Sequence, residues 1–128
     1  MNPNKVGSLA EANVLAALAR CGYEISIPFN PSLRYDLVGE LQGSFYRIQV
    51  KNGCLRNGTV RFNTYSGSDS KVPYDGEVDL FAVWCPELDS VYVVPCKPGM
   101  SAKMYLRCEP PKDGKLRKNM VMADQYKI

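Results

Sequence analysis

The sequence predicts a mixed α/β (α+β) domain: an N-terminal helix, then a mixed, largely antiparallel sheet of five to six strands, then a short C-terminal helix. Three observations point there. An alanine-rich opening segment places Leu9, Val14, Leu15, Leu18 and Ala19 at helical spacing. Behind it come short β-branched and aromatic runs punctuated by Gly, Pro, Asn and Asp. Finally, 128 residues at 45% hydrophobic content fill one core but not two, so a single domain over residues 1–128 is expected.

In chain order, Ser8-Leu9-Ala10-Glu11 opens the helix and Cys21-Gly22 closes it with a C-terminal glycine. Tyr23 to Phe29 alternates until Pro28 and Pro31 interrupt it. Arg34 to Leu41 and Ser44 to Lys51 form a hairpin about Gln42-Gly43. Gly53 and Gly58 bracket a loop, Thr59 to Thr64 is a further strand, and the Ser-, Gly- and Asp-rich stretch from Tyr65 to Gly76 is expected to be mobile. Val78 to Trp84 and Ser90 to Pro95 pair through Pro86-Glu87-Leu88-Asp89 as a second hairpin, with Phe81, Trp84 and Tyr92 in the core. Lys103 to Arg107 is a last strand, Pro110 to Lys118 a basic loop, and Asn119 to Tyr126 the short helix.

Composition narrows the chemistry. Histidine is absent, which removes Ser-His-Asp triads, Cys-His nucleophiles, His-metal nucleases and Cys₂His₂ fingers. Catalysis must then run on carboxylates, lysine or tyrosine. The net charge of +3 is compatible with a polyanionic partner. The five cysteines (Cys21, Cys54, Cys85, Cys96, Cys108) contain no C-x-x-C pair and read as reduced, mostly core residues. No run is long and apolar enough for a bilayer and the start lacks a signal-peptide pattern, so no membrane and a cytoplasmic or nucleoid-associated location are expected.

The hairpin about Gln42-Gly43 carries the most chemistry. A two-residue loop pairs Leu41 with Ser44, and counting outward sets Asp36 opposite Gln49. Side chains alternate between faces, so Asp36, Gln49 and Lys51 share one face. An acid, an amide oxygen and an ammonium held together suit a hard divalent cation and a phosphodiester. Asp36 is the first-choice ligand, with the Gln49 side-chain oxygen and the Val50 carbonyl beside it and Lys51 stabilising charge. The plain alternative for each is an exposed strand residue; the shared face argues against it for Asp36 and Lys51, while for Gln49 both readings stand. Asp79 is a possible further acid, more simply read as a strand-start residue.

These residues resemble the PD-(D/E)XK nuclease superfamily, and most closely the endonucleases associated with group I introns. The resemblance rests on Leu33-Arg34-Tyr35-Asp36-Leu37-Val38, on Tyr46-Arg47-Ile48-Gln49-Val50-Lys51-Asn52-Gly53, and on Glu11 in the opening helix. Asp79-Leu80-Phe81-Ala82-Val83-Trp84 and Val91-Tyr92-Val93-Val94-Pro95 extend it. Tyr35 stands where the superfamily has proline, and Gln49 where most members have an acid; the intron-associated subgroup is similar in using glutamine there. The resemblance implies a restriction-endonuclease-like core, Mg²⁺ (with Mn²⁺ as a substitute), a double-stranded DNA substrate, and Glu11 beside the metal. Ser8-x-x-Glu11 also fits a capping box, so both readings of Glu11 stand.

The implied function is a metal-dependent, site-specific homing-type endonuclease. A Holliday-junction resolvase or restriction-type nuclease would use the same core, and a non-catalytic DNA-binding or excision-control protein could be built on a degenerate version of it. Cutting both strands from one site per chain calls for a homodimer or higher homo-oligomer. DNA contacts are expected from Arg56, Arg61 and Lys71, with Tyr65 and Tyr74 nearby, and from Lys112, Lys115, Arg117 and Lys118 in the basic loop.

Overall fold

The helix begins at Pro3 and not at Ser8. In the computed structural model of the chain, which describes residues 2–66 and 72–128, α1 runs Pro3–Arg20. Asn2 is its N-cap: the backbone there is extended and Oδ1 accepts the Lys5 N–H at 3.0 Å. Ser8 lies well inside, its hydroxyl donating to the Asn4 carbonyl at 3.0 Å. The capping box between Ser8 and Glu11 therefore does not form, because the N–H groups it would satisfy are already interior. The expected stop is met, with Gly22 at φ +94°.

The strands are β1 Glu24–Ser26, β2 Leu37–Leu41, β3 Ser44–Asn52, β4 Cys54–Arg56, β5 Thr59–Asn63, β6 Tyr65–Ser66, β7 Val72–Pro73, β8 Leu80–Cys85, β9 Ser90–Pro95 and β10 Lys103–Arg107. A five-stranded sheet is ordered β1-β2-β3-β8-β9, a three-stranded one β10-β5-β4, and β6 and β7 form a short ribbon. Within the large sheet β3 and β8 run parallel and the other neighbours antiparallel. The fold is thus the mixed α/β architecture expected. The parallel pairing needs a crossover, and residues 53–79 supply it with β4 to β7 where a helix is more usual.

The Gln42-Gly43 turn has φ +52° and +85°, the left-handed pair of a type I′ hairpin, and sets Leu41 against Ser44. The expected register holds down to Leu37↔Ile48, where the ladder ends. The segment bracketed by Gly53 and Gly58 is a second such hairpin, not a loop: Asn57-Gly58 (φ +50° and +72°) joins β4 to β5. β1 stops at Ser26, short of Phe29, and leaves Phe29 fully exposed. The stretch from Tyr65 to Gly76 contains β6 and β7, while Lys71 falls outside the described residues.

Side-chain alternation splits the core into two layers. Leu37, Ile48 and Ala82 face α1 and bury Val14, Ala17 and Leu18. Phe81, Val83, Cys85, Tyr92 and Val94 face the other way, onto Val60, Phe62 and Leu106 of the small sheet. Trp84 is half-buried against the α1 layer. Gly53 makes the small sheet's approach possible: a Cβ there would lie 2.9 Å from Val83 and 3.0 Å from Val60.

The helix expected at Asn119 to Tyr126 reduces to a 3-10 turn, Ala123–Gln125. That chain is spent on pairing instead. Arg107 N–H donates to the Val121 carbonyl at 2.8 Å, Val93 N–H to Tyr126 at 2.9 Å, and Ile128 N–H to Val91 at 3.0 Å, so the tail covers the β9 edge. The cysteines depart from expectation too: Cys21 and Cys54 are exposed, and Cys85 alone is fully buried, its thiol pushed up to about 11 by desolvation. Among the described residues no helix is long and apolar enough to cross a membrane.

Candidate active site

Antiparallel pairing ends one residue before Asp36, and the site lies where it ends. Asp79 N–H donates to the Arg47 carbonyl and Asp36 N–H to the Ile48 carbonyl, each at 2.9 Å. Odd-numbered carbonyls of β3 therefore point toward β8 and even-numbered ones toward β2. Val50 is even, and β2 has no residue beside it because β2 starts at Leu37. In the missing partner's place sits the Asp36 carboxylate, whose Oδ2 accepts the Val50 N–H at 3.0 Å. Asp36 is a strand-end residue standing in for a ladder bond, close to Val50, and not a ladder residue opposite Gln49.

Gln49 lies next to it, with Nε2 3.4 Å from the Val50 carbonyl, a long contact. Burial raises the Asp36 carboxyl above the ordinary carboxylate value; the Val50 N–H and the Lys51 charge oppose this but do not overcome it. An underneutralised, half-buried carboxylate beside a carbonyl and an amide is a donor set that a cation would satisfy. It is poor in charge, however: among the described residues no group of three or more His, Cys, Asp or Glu could hold a metal.

Lys51 projects from the face of β3 that meets the small sheet. Its Nζ donates to the Tyr74 hydroxyl at 3.1 Å and to the Tyr65 carbonyl at 3.3 Å, and lies 4.7 Å from the Tyr74 ring centroid. Tyr74 is only 4% exposed and packs edge-on against Phe81. It is a core residue that holds the lysine, not the DNA contact expected of it. The Arg34 guanidinium covers the same ring at 4.2 Å and donates to the Pro73 carbonyl at 3.0 Å, tying the β6/β7 ribbon to the segment before Asp36. No local sequence signal marks Tyr74 or Arg34, since both contacts span distant segments.

Glu11 sits half-buried on α1, one turn before Val14 on the stripe that packs against Leu37 and Ile48. With the capping box excluded it has no hydrogen bond or ion pair among the described residues. Asp79 is committed elsewhere: its carboxylate accepts the Arg47 N–H at 2.7 Å, Nε at 3.1 Å and Nη2 at 3.0 Å. That pairing lowers its pKa, and the strand-start reading of Asp79 holds.

Of the expected DNA contacts, Arg56 is exposed on β4, and Arg61 is half-buried on β5 with its guanidinium 5.1 Å from the Tyr105 ring centroid. Lys112, Lys115 and Lys118 are exposed in their loop, whereas Arg117 is ion-paired with Asp113. Lys71 lies outside the described residues.

Residues 1–128 match the family model described as PD-(D/E)XK endonuclease, so the chain belongs to the PD-(D/E)XK endonuclease family, a family of nucleases. Among solved structures the chain is similar to a bacterial homing endonuclease, I-Ssp6803I, with a TM-score of 0.71 at 18% identity, covering 98% of this chain and 86% of that one. At that identity the likeness speaks for the fold. No curated protein sequence matches significantly.

Proposed function

We propose that this nuclease is a Mg²⁺-dependent DNA endonuclease of the homing type, cutting a particular duplex site as a homodimer or higher homo-oligomer. The observation that carries this reading is the end of the β2/β3 ladder, where the Asp36 carboxylate, the Gln49 amide and the Val50 carbonyl come together within reach of the Lys51 charge. Asp36, Gln49 and Val50 would hold the ion, and Glu11 would add a carboxylate from the helix layer. A bound Mg²⁺ supplies Lewis acidity and lowers the pKa of water. The chain's own share is positional and electrostatic. Asp36 accepts the Val50 N–H and so keeps one carboxylate oxygen fixed. Lys51, anchored by Tyr74 and Tyr65, presents positive charge to a phosphate on which negative charge grows.

Plasmid nicking under Mg²⁺ and Mn²⁺ titration, with wild type, Asp36→Ala and Lys51→Ala, tests this. Metal-dependent nicking lost in both variants is expected; unchanged nicking by Asp36→Ala would sink the site. The scarcity of acids favours a second reading, a DNA-binding protein on an inactive nuclease fold. Duplex binding without cleavage in any metal would establish it.

A further inference from the structure

The outward face of the three-stranded sheet carries a charge pattern that neither the family match nor the proposed active site explains. β5 turns Val60 and Phe62 into the core, so Thr59, Arg61 and Asn63 point outward. The β5/β10 register sets Arg107 opposite Thr59, Tyr105 opposite Arg61 and Lys103 opposite Asn63, while Met104 and Leu106 face inward. On the other flank β4 places Arg56 beside Thr59 and Cys54 beside Arg61. Arg56, Arg61, Lys103 and Arg107 thus share one surface, and no Asp or Glu occupies any of its outward positions. Sheet faces that meet water usually mix both signs of charge. A uniformly basic one suits a polyanion.

We infer that this sheet face is the surface that reads duplex DNA, lying in the major groove with the β5/β10 pair along it. The inference rests on the proposed DNA-endonuclease reading and names the element that recognises the substrate. The major groove, ~12 Å wide, admits a two-stranded ribbon. Five cross-strand pairs make the β5/β10 ribbon roughly 17 Å long, or about five base pairs. Arg61 is preorganised for a guanine edge: its Nε donates to the Thr59 hydroxyl at 3.1 Å and its guanidinium lies against Tyr105, which restricts the side chain before any base is met. Lys103 and Arg107 flank it as phosphate contacts, and Asn63 offers an amide for adenine.

The face also lies a short stretch of chain from the active site. β3 runs from Lys51 through Asn52 and Gly53 directly into β4, and a groove of about 430 Å³ joins Asn52 to Arg56, Arg61, Asn63 and Lys103. Two residues separate Lys51 from Cys54, a span of at most ~10 Å of chain. One duplex can therefore touch both.

Fluorescence anisotropy with a target duplex in EDTA, between about 50 and 200 mM salt, tests the surface without cleavage. Arg61→Ala, Lys103→Ala and Arg107→Ala are each expected to weaken binding by about 5- to 50-fold, and the two phosphate-contact variants to lower the salt slope by about one. A Lys5→Ala/Lys127→Ala double variant, at exposed positions on α1 and the C-terminal tail, should change affinity by less than about twofold. Unaltered melting temperatures confirm that the outward substitutions leave the fold intact. Guanine N7-methylation interference on the wild-type complex is an independent readout, expected to mark the base that Arg61 contacts. The inference is overturned, with the nuclease reading untouched, if wild type binds and nicks duplex while all three sheet variants keep its affinity and salt slope. Wild type that neither binds nor nicks duplex overturns the DNA-endonuclease reading as well.

Discussion

The two sides of β3 offer a controlled comparison. Each is flanked by an aspartate at the start of a neighbouring strand, Asp36 before β2 and Asp79 before β8, and each uses Oδ2 to accept a β3 backbone N–H, from Val50 at 3.0 Å and Arg47 at 2.7 Å. Their backbone roles are the same and their electrostatics opposite. Asp79 also receives the Arg47 guanidinium, and its carboxyl titrates low. Asp36 has burial and a more distant lysine, and its carboxyl titrates high. A carboxylate whose charge is already satisfied stabilises the sheet; one that is desolvated without a bonded cation is available for a ligand.

The sharpest break in this symmetry is Asp36→Asn. Asparagine keeps an acceptor for the Val50 N–H but removes the charge, so cleavage should fall by about 10²- to 10³-fold while the melting temperature at neutral pH holds or rises. A plasmid assay beside a thermal melt checks both halves. Lys51→Ala should cost about 100-fold, and Tyr74→Phe about 5- to 10-fold, with the fall in kcat rather than KM and a displaced pH–rate profile, because the phenol positions the ammonium. A fall in KM terms alone would make Tyr74 merely structural. Next comes Gln49→Glu, expected to tighten Mg²⁺ binding by about tenfold in a calorimetric titration, since it adds the missing charge. Asp79→Asn should do the reverse of Asp36→Asn: about 1 kcal/mol of stability lost, discounted for its partial exposure, with cleavage per folded molecule retained.

The smallest effect is pH dependence, and the two aspartates oppose each other there. Asp79, depressed in the fold, contributes stability that is full above its unfolded value near 3.8 and is lost as pH falls through its lower folded value. Asp36, raised in the fold, contributes stability that is full below its unfolded value near 3.8 and is lost as pH rises through its higher folded value. Denaturant unfolding from acid to neutral pH should therefore lose its acid-side fall in Asp79→Asn and its decline above pH ~4 in Asp36→Asn. Identical slopes in both variants would erase the distinction.

What the sequence made legible follows sequence distance. The Asp36 to Lys51 constellation was readable because one two-residue turn fixes its register, and that register held down to Leu37↔Ile48. The last step failed because Asp36 leaves the ladder and replaces it with a side-chain bond. The helix starts earlier than Ser8 because Asn2, an equally good cap residue, takes the N-cap, and Asn57-Gly58 closes a hairpin where the bracketing glycines alone suggest a loop. Arg47 with Asp79, Lys51 with Tyr74, and the parallel β3/β8 pairing join residues 23 to 32 positions apart, and no local pattern encodes them.

Gly53 has a consequence beyond packing. It is the single residue between β3, which ends just after Lys51, and β4, which opens the basic sheet face, and its missing Cβ lets Val60 and Val83 close over the joint. If the basic face reads the duplex, this joint is a ruler: it fixes how many base pairs lie between those recognised and the bond cut. A nuclease with so short and tightly packed a connection has little freedom to slide its cut relative to its recognition sequence. Its fidelity in position would then be set at a glycine that carries no side chain of its own.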